Sequence, residues 1–244
     1  MTDISKIDLL RTFILSNLDK LQSQGGGGQY PELPNYELGA RDYLQFAEKE
    51  LDENTPASLI NCVAHLKRAL DCQLDTFLYV YKLDRPFRQR NLKIDKKLNF
   101  LKESGVFGSR SLSRFNSIRN RMEHTYEIPK IQDLDVYFDL VAAFIAMLER
   151  TIVFTLNSSL EYYVYESNED IQNPESDKIG FFGIDYVLEN EPQICVSWNM
   201  GQGDEKLSVD LNQYNEFAFF FKVFLLLCQR DVFVTKHYIE SQLA

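Results

Sequence analysis

The sequence has no excess of basic charge, few cysteines, three histidines, one tryptophan and no long apolar run. Each shortage removes a class of function. Lys+Arg total 26 against 36 Asp+Glu, for a net charge of −10, so the chain as a whole is not a nucleic-acid coat. The four cysteines are Cys62, Cys72, Cys195 and Cys228. They form neither a CxxC nor a Cys/His cluster of zinc spacing, so a disulfide scaffold and a zinc module are both excluded, and reduced, mostly buried thiols are expected. The most apolar stretch, Phe217 to Cys228, is only 12 residues long and is broken by Lys222. A membrane-spanning helix needs about 20. The N-terminus carries Asp3 and Asp8 and lacks a basic region followed by an apolar run. No secretory signal is expected, and a cytoplasmic location without membrane contact follows. Apolar residues at 45% and charged residues at 25% then place the chain among ordinary globular proteins, with ample length for a core.

The charge is unevenly divided. Residues 1–156 hold 21 basic and 21 acidic side chains, whereas residues 157–244 hold 5 basic and 15 acidic. This asymmetry suggests two functional halves. The apolar pattern agrees. Ile4 to Gln24 reads as an amphipathic helix, with Ile7, Leu10, Ile14, Leu18 and Leu21 at helical spacing. Gly25 to Gly28, Pro31 and Pro34 then stop it. The glycines lack a following Gly-Lys-Ser/Thr and a preceding strand, so they read as a flexible linker and not as a phosphate cradle.

Residues 36–156 read as an all-α bundle. Tyr36 to Asp52 is one helix. Pro56 starts a longer one, striped by Leu59, Val63, Leu66, Leu70, Phe77 and Tyr81, and Pro86 ends that region. Arg85, Arg88, Arg90, Lys93, Lys96 and Lys97 follow, diluted by Asp84 and Asp95. This stretch reads as a solvated loop and helix start, or as a phosphate-backbone contact surface. A helix then runs to Glu103 and stops at Gly105 and Gly108. Ser111 to Tyr126 and Ile131 to Leu156 are two more helices.

Beyond residue 157 the period changes. Leu160–Tyr165, Phe181–Leu188, Ile194–Trp198 and Leu207–Leu211 are rich in β-branched and aromatic residues, with turn-prone clusters between them. The last three are expected to form an antiparallel meander. Residues 213–229 then form an apolar helix that covers one sheet face. The expected class is α+β: residues 1–35 a leading helix and linker, 36–156 a helical domain, 157–244 an acidic domain with a small antiparallel sheet.

Of the histidines, His65 lies roughly opposite the apolar stripe of its helix, and His237 has no acid or thiol nearby in sequence. Both read as surface residues. His124 closes the segment Arg119-Asn120-Arg121-Met122-Glu123-His124-Thr125-Tyr126. At 100° per residue, Leu112, Phe115, Ile118 and Met122 make one stripe. His124 points roughly 150° away from it, with Asn120 on the same side one turn earlier. It therefore faces solvent, a cleft or another subunit.

The pattern Arg119-Asn120-x-x-x-His124-x-Tyr126 resembles the signature of the HEPN superfamily, the higher-eukaryote-and-prokaryote nucleotide-binding domains. In one large subgroup, the toxins of HEPN–nucleotidyltransferase pairs, a tyrosine stands two residues after the histidine, as Tyr126 does. The surroundings are similar too: the helix carrying His65-Leu66-Lys67-Arg68-Ala69-Leu70, the segment Phe100-Leu101-x-x-x-Gly105, and a long apolar helix after the motif. The resemblance covers roughly residues 36–156. It implies a helical domain that pairs with a second copy and, in many members, cleaves RNA without metal or other cofactor. Arg119, Asn120 and His124 are then the catalytic residues, Tyr126 a modification or supporting site, and Arg88, Arg90, Lys93, Lys96 and Lys97 backbone contacts. The partners implied are RNA, a second copy of the chain and, in a defence or toxin–antitoxin setting, a cognate antitoxin or regulator. The alternative is a HEPN-like binding or sensor module that has kept the motif without the activity. The acidic tail favours that alternative, because it repels RNA.

Overall fold

The computed structural model describes residues 5–23, 31–108, 128, 130–155, 159–167, 177–188, 191–230 and 232–244. The chain is α+β and divides into two compact units. One comprises Met1–Tyr30, Glu103–Gly105 and Phe154–Ala244; the other comprises Pro31–Lys102 and Val106–Val153.

In the second unit every described regular element is helical: α2 (Ala40–Glu53), α3 (Pro56–Val80), α4 (Asp84–Gln89), α5 (Ile94–Glu103) and α6 (Ile131–Phe154). Pro56 does open α3, and local chemistry explains why. The Thr55 hydroxyl accepts from the Ser58 amide at 3.1 Å, and the Ser58 hydroxyl accepts from the Thr55 amide at 2.9 Å. Two orphan donors are thus satisfied reciprocally. The expected stripe is the buried face: Leu59, Val63, Leu66, Leu70, Phe77 and Tyr81 are all buried. The helix expected from Tyr36 begins instead at Ala40. Gly39 is its cap, and the Gly39 amide donates to Asp42 Oδ2 at 2.7 Å. Tyr36 stays in the irregular segment before it, its amide donating to the Pro34 carbonyl at 3.1 Å.

Pro86 does not end a helix; it lies in the first turn of α4, where a missing N–H costs no intrahelical bond. Two closely similar reversals set the course from α3 to α5. After α3, Lys82 adopts φ 53°, the Leu83 amide donates to the Leu78 carbonyl at 2.7 Å, and the Lys82 amide donates to the Tyr79 carbonyl at 2.9 Å. After α4, Asn91 adopts φ 51°, Leu92 N–H donates to Phe87 O at 2.9 Å, and Asn91 N–H donates to Arg88 O at 2.9 Å. Both are Schellman caps, which satisfy the last carbonyls of a helix through one left-handed residue. The Phe87 and Phe100 rings meet edge to face at 5.6 Å and hold α4 to α5.

The first unit contains α1 (Lys6–Asn17), five strands, α7 (Tyr214–Cys228) and α8 (Lys236–Leu243). The strands β1 (Leu21–Ser23), β2 (Ser159–Val164), β3 (Gly180–Val187), β4 (Gln193–Asn199) and β5 (Asp204–Asp210) lie in that spatial order, each antiparallel to the next. The expected meander is present. Register aligns Tyr162 with Phe182 and Trp198, Leu160 with Ile184 and Val196, and Tyr186 with Ile194 and Val209. These make one apolar face, as period two requires. α7 covers it, with the Tyr186 ring 5.6 Å from Phe221 and 6.2 Å from Phe217.

The leading helix is shorter than expected and belongs elsewhere. It ends at Asn17, and Leu21 is a strand residue paired with Val164. Leu10, Phe13, Ile14, Leu18 and Leu21 are buried within the sheet unit. Leu18 and Leu21 satisfy a helical period, but the chain turns at residues 18–20 to add a strand to the sheet. With this regrouping the sheet unit holds 8 basic and 19 acidic side chains, a net of −11, and the helical unit holds 18 and 17, a net of +1.

Candidate functional site

Arg119, Asn120, His124 and Tyr126, with the whole Ser111–Tyr126 helix expected from the sequence, lie outside the described residues. The described chain before them is α5 and its stop, where Gly105 adopts φ 71°. The described chain after them is Ile128, Lys130 and the 24-residue α6.

The basic stretch is described, and it splits by environment. Arg88 stands in the last turn of α4, its side chain 81% exposed, 3.6 Å from Asp84 one turn back. Lys97 is more enclosed and ties α5 to α3 through a 2.7 Å contact with Asp75. Arg90, Lys93 and Lys96 are exposed. The stretch therefore includes Arg88 and Lys97, each beside a carboxylate, and further exposed cations.

These two ion pairs flank a groove of about 490 Å³. Apolar Leu78, Phe87, Leu92 and Pro34 line it together with Tyr36, Tyr79 and Asn91. Three segments build it: the irregular run before α2, the C-terminal half of α3, and the α4–α5 corner that follows α3. The left-handed Asn91 aims the chain back so that α5 returns Lys97 toward Asp75. Tyr79 is fixed by its neighbours. Its hydroxyl donates to Glu32 Oε1 at 3.2 Å, and Lys82 Nζ lies 5.0 Å from the ring centroid. Lys82 Nζ also donates to Glu32 Oε2 at 3.0 Å. The hydrogen bond and charge of Lys82, then the Tyr79 hydroxyl, hold the Glu32 carboxyl below its ordinary range. Tyr36 is 46% exposed. Partial desolvation, and then the carboxylate of Asp75, push its phenol above the ordinary value.

The basic side chains at this groove were visible in the sequence; the aromatic ones were not. Read by period, Tyr36 is only the expected start of a helix, and Tyr79 lies off the apolar stripe of α3. The other histidines stay apart from this chemistry. His65 is half-buried with its ring 5.5 Å from Phe46, so it packs against α2 and does not project into solvent as expected. His237 is exposed on α8.

All four cysteines are free. Burial pushes the Cys62 and Cys228 thiols up to about 12, and burial followed by the charge of Asp185 raises Cys195. Among the described residues no group of His, Cys, Asp or Glu is arranged to hold a metal ion. Among them, too, no helix is long and apolar enough to cross a membrane. No family model, curated protein or solved structure matches the chain.

Proposed function

We propose that the helical unit is a metal-independent endoribonuclease of the HEPN type, acting as a homodimer in a defence or toxin-type system. The observation that carries this reading is the spacing Arg119-Asn120-x-x-x-His124-x-Tyr126, set between α5 and α6. The all-helical make-up of the described elements of that unit, with long helices before and after the motif, supports it.

The chemistry asked of these residues is specific. RNA cleavage takes a proton from the ribose 2′-hydroxyl and delivers one to the leaving 5′-oxygen. An imidazole titrates near neutrality and serves either step. The guanidinium fork of Arg119 matches the charge that develops on the phosphate. Asn120 positions the histidine or the phosphate. One chain has one suitable histidine, so a two-fold pair supplies the second.

A second reading has an observation of its own. The sheet unit carries a net charge of −11, which repels RNA and suits a regulatory or antitoxin-facing surface. In that reading the module binds without cleaving. Incubation of the purified protein with RNA in the presence of a chelator separates the two. The enzyme cleaves and its His124→Ala variant does not; the binding module leaves RNA intact.

A further inference from the structure

We infer that the groove between Tyr36, Tyr79 and the α4–α5 corner is a subsite for one unpaired nucleotide of a single-stranded RNA, and this rests on the RNA-directed reading above. Its geometry is the first argument. A groove of about 490 Å³ lined in part by Leu78, Phe87 and Leu92 has room for one planar base, and a base held inside a duplex cannot enter it. Base recognition without a duplex uses aromatic rings as stacking platforms and cations along the backbone. Tyr36 is the platform, because nearly half of it is exposed and the Tyr79 ring already has Lys82 beside it.

Charge is the second argument. The chain is acidic overall, yet Asp84 to Lys97 holds six basic and two acidic residues. The two carboxylates at the groove are each matched by a cation: Asp84 by Arg88 at 3.6 Å, and Asp75 by Lys97 at 2.7 Å. The Arg88 pair is long and its side chain is 81% exposed. An exposed pair of this kind is weak, so the guanidinium is free to turn to a phosphate that offers two oxygens. Arg88 thus anchors the phosphate beside the stacked base, with exposed Lys93 further along the backbone.

The test measures binding of a short fluorescent single-stranded oligoribonucleotide of mixed sequence. It uses the full chain carrying His124→Ala, so that the probe stays intact. Added Tyr36→Ala should weaken binding by about tenfold, the usual scale for loss of one base–aromatic stack, and Tyr36→Phe should restore it. Arg88→Ala should weaken binding and lower the steepness of log K against log salt by about 0.7, the value for one phosphate contact on a single strand. Lys206→Ala on β5 should change neither. Tyr36 lies outside the helices, before α2, so its variants should keep the helical unit folded, which circular dichroism would check. If the parent binds the probe and Tyr36→Ala and Arg88→Ala bind equally well, the subsite is wrong while the RNA-directed reading stands. If the folded parent binds no single-stranded RNA, both are wrong.

Discussion

The Phe13 ring stacks on Phe182 with centroids 4.9 Å apart and planes 18° from parallel, and Trp198 lies 4.8 Å away on β4. The leading helix is therefore core to the sheet unit. Phe13→Ala should destabilise that unit by about 3–5 kcal/mol, the usual scale for emptying a buried aromatic site. Denaturant unfolding followed by Trp198 fluorescence reads this, since Trp198 is the one tryptophan and touches the altered residue. A change below about 1 kcal/mol would contradict the packing described.

The same contact governs how the chain can be divided. A fragment ending near residue 157 keeps α1 and β1 but loses β2 to β5 and α7, leaving Leu10, Phe13 and Ile14 without their core. Such a fragment should aggregate or bind a hydrophobic dye. A fragment that stays soluble and dye-negative would show that α1 does not depend on the sheet.

Asn91 sits at φ 51° at the turn that carries the groove's basic corner. Asn tolerates this region, and a β-branched residue does not. Asn91→Val should cost about 1–2 kcal/mol, whereas Asn91→Gly should be near neutral. Thermal melts of the two variants check the order, and equal losses would remove the conformational explanation.

How far the sequence reaches depends on how local the physics is. Thr55 and Ser58 bond to each other within one turn and Pro56 lies between them, so the start of α3 is legible from four consecutive residues. The meander is legible because alternation and turn residues are also local. The place of α1 is not. Its period marks Leu10 and Ile14 as facing something apolar, but nothing in the period says that the partner strands lie some 150–190 residues later. Leu21 shows the same limit, since a three-residue offset from Leu18 suits a helix and the sheet claims it. The groove was half-legible. Arg88 and Lys97 stand out by charge, but the left-handed Lys82 and Asn91 that bring α3, α4 and α5 together do not. The motif residues lie outside the described residues, and their reading comes from their spacing in the sequence.

Thiol reactivity follows from burial. Cys62 and Cys228 are held up at about 12, so at pH 8 neither should react with an alkylating reagent until the protein unfolds. A folded-state value above the unfolded one stabilises the protein fully below the unfolded thiol's ordinary range near 9. That contribution is lost as pH rises from there toward 12. Alkylation with mass readout at pH 8, native against denatured, checks the assignment. Rapid native labelling of Cys62 would contradict its burial.

A composite site with one suitable histidine per chain requires pairing. The protein should be a dimer at micromolar concentration, measured by light scattering or sedimentation. A monomer that shows no dimer on titration would leave the proposed two-histidine cleft incomplete.

The most direct test is cleavage of a single-stranded RNA by purified protein in the presence of a chelator. Wild type should cleave, and Arg119→Lys should be impaired because a point charge replaces a planar fork. His124→Ala should fall by about 10²–10⁴-fold, the range for loss of a general acid–base group, while staying folded and dimeric. His65→Ala and His237→Ala should remain active. Folded, dimeric wild type that leaves RNA intact, or cleavage equal in wild type and His124→Ala, would contradict the ribonuclease account.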